Sequence, residues 1–138
     1  MISITFSSTA SEEHNGISLL RMVQKCRAVN QRWDVTGMML YKDGAFLQVL
    51  EGPDRAIGSL MQSVQTDPRH FGVVVLSEEP LAEREYPDWS MAFHNLDTAA
   101  SQSVPGYAPF EPLALNGPEF QSDPDLAQDL LALFRNQL

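Results

Sequence analysis

Two apolar runs flank one Asp-Gly pair: Val35 to Tyr41 on one side and Ala45 to Leu50 on the other, joined through Lys42-Asp43-Gly44. Asp-Gly accepts the positive φ angles of a two-residue turn, so the two runs form an antiparallel hairpin. The second strand, Phe46-Leu47-Gln48-Val49-Leu50, is written for a hydrophobic interior except for one amide. Alternation puts Phe46, Gln48 and Leu50 on one face. A buried carboxamide needs a partner for its donor and another for its acceptor, or it costs about 1–3 kcal/mol. Two readings stay open at this point. Gln48 is a structural residue bonded to backbone, or a bound heteroaromatic ligand supplies its partner.

The flanking sequence supplies the other elements. Ile2-Ser3-Ile4-Thr5-Phe6-Ser7 alternates, which predicts a strand with Ile2, Ile4 and Phe6 inward. Ser11 to Gly16 is a polar connection, and from Ile17 to about Asn30 the apolar positions Leu19, Leu20, Val23 and Cys26 follow helical spacing. Gly52-Pro53-Asp54 breaks the hairpin strand, with Pro53 suited to a first helical turn. Ile57, Leu60, Met61 and Val64 then mark a helical stripe at i, i+3, i+4 and i+7. Asp67-Pro68-Arg69-His70 ends it, Val73 to Leu76 predicts a short buried strand, and a last strand is expected through Trp89, Met91 and Phe93. The order β-α-β-β-α-β-β is an α+β, ferredoxin-like arrangement with two helices on one sheet face. Beyond about Asp97, Pro105, Pro109, Pro112 and Pro118 give a linker-like stretch. Asp123 and Pro124 then open a helix carrying Leu126, Leu130, Leu133 and Phe134 on one side. That stripe is expected to cover the bare sheet face; a helix that binds a partner or a second copy is the alternative.

Composition removes several functions. The chain has 138 residues, 43% of them hydrophobic, enough for one compact core. No run reaches the ~20 apolar residues of a membrane span, and no basic-then-apolar signal opens the chain. A net charge of −9 disfavours a nucleic-acid surface, which needs cations against phosphate. A single cysteine, Cys26, suits a reducing compartment, and a cytoplasmic location is expected. His14, His70 and His94 share no metal-ligand spacing, and phosphate-loop and nucleophile-elbow motifs are lacking.

Asn30, Thr36-Gly37, the stretch Phe46 to Gly52, Asp67-Pro68-Arg69-His70, Arg84 and Trp89-Ser90-Met91, in this order and spacing, resemble the BLUF family of flavin-using blue-light sensors. The resemblance covers roughly residues 1–97, leaving 98–138 as a Pro-rich linker and C-terminal helical cap. It implies a flavin (FAD, with FMN an option) between the two helices. Asn30 and Gln48 would bond the ring, and Arg69 and His70 would line the ribityl and phosphate part. Trp89 and Met91 match a switch segment, one or the other lying near the flavin. Thr36-Gly37 and Gly52 match packing and turn positions. The resemblance implies a sensor with no catalysis of its own. Its output is expected to pass to a separate downstream protein, a homo-oligomer, or both, because no effector domain follows residue 138.

One departure bears on that function. In the family the first strand carries a Tyr that bonds the Gln and gives up an electron and then a proton on excitation; here Phe6 takes that position. A benzyl group has no O–H and resists oxidation. The resemblance therefore implies a flavin binder with little or no productive photocycle, whose switch set is Phe6, Gln48, Trp89 and Met91. Val29 is a second departure, apolar where relatives carry a polar residue. A BLUF-like interaction domain that has lost its flavin is the alternative, and a small flavoenzyme is disfavoured because no acid–base or nucleophile pair is assembled.

Overall fold

A computed structural model describes residues 1–137. Five strands and five helices alternate as β1 (Ile2–Ala10), α1 (Gly16–Arg32), β2 (Thr36–Lys42), β3 (Ala45–Gly52), α2 (Asp54–Thr66), β4 (His70–Pro80), β5 (Ala92–Asn95), α3 (Ala99–Gln102), α4 (Pro118–Ser122) and α5 (Pro124–Arg135). The sheet order is β4-β1-β3-β2-β5. All pairings are antiparallel except β2 with β5. The expected α+β order is present.

The hairpin turns at Asp43 (φ 47°) and Gly44 (φ 78°), the paired positive angles of its tight turn. Its strands have no exposed side: every residue of β3 is buried. On one face Phe46 and Leu50 join Ile4, Phe6 and Met39 beneath Leu19 and Val23 of α1 and Ile57, Leu60 and Met61 of α2. On the other, Met38, Leu40, Leu47 and Val49 meet Leu130, Leu131 and Phe134 of α5. The last apolar stripe thus covers the sheet face that α1 and α2 leave bare. Leu20, assigned to the buried stripe of α1, is 52% exposed instead. The helix starts on a capping box between Asn15 and Ser18.

Four expectations are corrected. The fourth strand is neither short nor buried: β4 runs eleven residues and is largely half-exposed, because it is the sheet edge and pairs only with β1. The last strand does not include Trp89 or Met91. Its ladder with β2 begins at Met38 opposite Ala92. The preceding carbonyls are taken instead by Gly37 N (to Trp89 O, 3.1 Å), Asn30 Nδ2 (to Ser90 O, 2.6 Å) and Arg27 Nε (to Met91 O, 2.8 Å). The stretch that reads as a linker carries Tyr107, Leu115 and Phe120 into the core at 1% exposure or less, so it is packed structure. Pro53 is the residue before α2 and not part of its first turn.

Gly37 is demanded by packing. A Cβ there would lie 2.0 Å from the Val49 carbonyl oxygen, so only a glycine lets β2 approach β3 at this point. Arg84 ties the same end together, donating to Thr36 Oγ1 (2.8 Å) and to the carbonyls of Glu51 (3.2 Å) and Asp34 (2.7 Å). Among the described residues no helix is long and apolar enough to cross a membrane.

Candidate functional site: a cleft between two helices

α1 and α2 diverge over the sheet and leave a cleft of about 560 Å³, within the ~300–1,000 Å³ usual for small-molecule sites. Both helices give it apolar residues, Val29 on α1 and Leu60 and Val64 on α2, beside the cations Lys25 and Arg32 of α1. Gln48, Leu50 and Met91 form the floor, and Asn30 closes one end. Apolar side chains on both helices suit a flat ring. The floor supplies the polar edge such a ring needs.

Gln48 is 8% exposed, and among the described residues its carboxamide has no hydrogen-bond partner. The backbone-bonded reading of this residue is therefore set aside, since the amide opens into the cleft. The amide atoms are not sealed in the core: they reach the open cleft, where a ligand or solvent can meet them. Asn30, at 4% exposure, spends its Nδ2 on the Ser90 carbonyl and keeps Oδ1 for the cleft. One side thus offers a donor–acceptor pair and another an acceptor. A heterocycle with alternating N–H and C=O groups fits this set.

Phe6 lies opposite Gln48 across the β1–β3 ladder, on the same face, and is fully buried. It backs the amide without lining the cleft. Met91 lines the cleft, whereas Trp89 does not: its side chain packs with the cluster on the opposite sheet face. Arg69 reaches the cleft wall, but Asp67 holds its guanidinium through Nε (3.0 and 2.9 Å) and Nη2 (2.6 Å). That bidentate pair keeps the Asp67 carboxyl below its ordinary range and pushes the Arg69 value up. His70 does not line this cleft; it lines a neighbouring small pocket with Met39, Phe46 and Gln48.

Sequence reasoning passed over several lining residues. Cys26, counted only as part of a helical stripe, lines the cleft, and burial raises its thiol pKa so that it stays protonated. Lys25, Arg32 and Trp33 also line it. For two of them the signal was position: Arg32 and Trp33 stand two and three residues after the Asn30 that the motif set had singled out. Arg27, three residues before Asn30 and so on the same helix face, holds the Met91 carbonyl.

Fold and site together define a ferredoxin-like domain with a small-molecule-sized cleft between two helices. Residues 1–92 match the model of the BLUF family, described as sensors of blue light using FAD, and the chain belongs to that family. It is a flavin-binding blue-light sensor domain. Its backbone superimposes on the dark-state structure of the BLUF protein BlrB with a TM-score of 0.73 and 30% identity, covering 95% of each chain. It is also 32% identical over 114 residues to the photoactivated adenylate cyclase subunit beta of Euglena longa, covering 82% of this chain. Over 55 residues, 40% of this chain and 14% of the relative, it is 36% identical to the blue light- and temperature-regulated antirepressor BluF of Escherichia coli (strain K12). The chain spans only 8–12% of the length of the first cyclase relatives.

Proposed function

We propose that this chain is a flavin-holding BLUF sensor whose light response is silenced at Phe6. Residues 1–97 are the flavin-binding part and 98–138 the part that receives the signal. Asn30 and Gln48 hold the polar edge of the ring, and Arg69 and His70 sit toward its outer part. Phe6, Gln48, Trp89 and Met91 form the switch set. The observation that carries this reading is the Gln48 amide, open to the cleft floor and without a protein partner, with Phe6 opposite it on the neighbouring strand. A bound flavin would supply the blue-light absorption and an excited state that draws an electron.

What this chain's residues do follows from their chemistry. Gln48 can donate and accept, so it has two orientations with different partners. A phenol beside it could bias that choice and release a proton; a benzyl group does neither. Phe6 leaves Gln48 in the one orientation that the ring edge favours. A switch needs two states that a stimulus separates in energy, and here the separating group is missing.

The route outward is built nonetheless. Asn30 and Arg27 hold the carbonyls of Ser90 and Met91, and β5 then leads into the cap. We assign no catalysis to this chain, a cytoplasmic location, and an output that passes to a separate protein, to a second copy, or to both. The relation to an antirepressor supports an output through protein contact. Purification of the full chain tests the first part: the protein is expected to be yellow, or to become so with added FAD. A preparation that stays colourless after that addition would instead support an interaction domain that has lost its flavin.

A further inference from the structure

Trp33 caps the C-terminus of α1 and lines the cleft, yet 47% of it is exposed. Val29, one turn earlier on the same wall, is 40% exposed. A large aromatic left open in the wall of a ligand site is a surface that a bound molecule can cover. Beside it stands Arg32, which also lines the cleft and has no ion-pair partner among the described residues. Asp34, two residues on in the chain, is engaged by Arg84 at 3.2 Å. Lys25 is a second cation in the same wall. In a chain of net charge −9, three of its nine Lys and Arg residues (Lys25, Arg32 and Arg69) line this one cleft.

Arg69, the cation that sequence reasoning put near phosphate, is neutralised by its bidentate pair with Asp67. Arg32 has no such partner. A free guanidinium next to an exposed indole offers a donor fork for a diphosphate and a flat face for a base.

Resting on the flavin reading above, we propose that Arg32 and Trp33 form a second subsite at the cleft mouth. It takes the adenosine diphosphate portion of FAD, with the adenine stacked on Trp33 and the diphosphate facing Arg32. The buried cleft holds the ring of any flavin; this outer subsite makes the chain discriminate FAD from FMN and riboflavin.

The test is titration of the full chain with riboflavin, FMN and FAD, followed by flavin and tryptophan fluorescence. FAD is expected to bind more tightly than FMN by about tenfold, the scale of one base stacked on one aromatic side chain. Trp33→Ala is expected to lower FAD affinity about tenfold more than FMN affinity, and Trp33→Phe to keep most of the preference. Arg32→Gln is expected to weaken FAD more than riboflavin. Equal binding of FAD and FMN by the parent chain overturns the proposal, as does an equal loss of all three ligands in Trp33→Ala. Either result leaves the ring site standing. Failure of all three flavins to bind removes the ring site and the subsite together.

Discussion

At the scale of single residues, the proposed function rests on Gln48 and Phe6. The Gln48 amide has no protein partner and reaches the open cleft, so its substitution should act on the loaded protein far more than on the empty one. Gln48→Leu is expected to leave the melting temperature of the flavin-free chain within a few degrees, since it replaces a cleft-facing amide by an apolar group of similar size. The same change should weaken flavin binding by about tenfold, the worth of a hydrogen bond or two. Calorimetry and a flavin titration check both; unchanged affinity would show that Gln48 is not a ring contact. Both residues were legible in the sequence, Gln48 as an amide in an apolar strand and Phe6 only through the family resemblance, which puts it at the Tyr position. Arg32 and Trp33 were not. A cation and an aromatic at the end of a helix look like a solvated terminus until the fold shows what they border.

The elements show a similar division. The hairpin and α2 could be read because the Asp-Gly turn and the i, i+3, i+4, i+7 stripe are local signals. The segment from Trp89 to Met91 could not, because it is held by Gly37, Asn30 and Arg27, all distant in sequence. Nor could the packing of Tyr107 and Leu115 among prolines, where no period betrays a buried side chain. The contact of β5 with α5 has a titratable member. His94 stacks at 5.0 Å on Phe134, and its Nε2 is buried without a partner. Burial lowers its pKa below the ordinary 6.5, against a weaker opposite pull from the Phe134 backbone. The unfolded chain therefore takes up this proton first, and stability falls as pH drops below about 6.5. Urea midpoints at pH 8 and pH 5 should differ for the parent chain and differ less for His94→Leu. An identical pH dependence in the two would exclude His94 as a source.

As a whole molecule, the chain is one sheet between two layers. The cleft lies under the first two helices, and the cap lies on the far side. The cap is joined to the sheet partly by polar contacts: Gln128 Nε2 donates to Thr5 Oγ1 (2.7 Å) and Ser77 Oγ (3.1 Å), and Asn116 Nδ2 to Thr9 Oγ1 (2.8 Å). The rest is hydrophobic, and each buried aliphatic side chain contributes about 1.5–3 kcal/mol. Residues 1–97 alone would expose Met38, Leu40, Leu47 and Val49 together. That fragment is expected to aggregate or to lose its cooperative urea transition; a monomer with the parent midpoint would show that the cap is dispensable for folding. The order of elements along the chain and the placement of two helices on one sheet face were legible at this scale from the alternation of strands and helices. The cap's full extent was not, because it is built from long-range contacts of irregular segments.

The most direct test is the light-minus-dark absorption spectrum of the flavin-loaded chain, taken with Phe6 and with Phe6→Tyr under the same blue illumination. With Phe6 the flavin band should return no lasting red shift, and Phe6→Tyr should gain one that reverses in darkness. A reversible red shift in the chain with Phe6 would contradict the account.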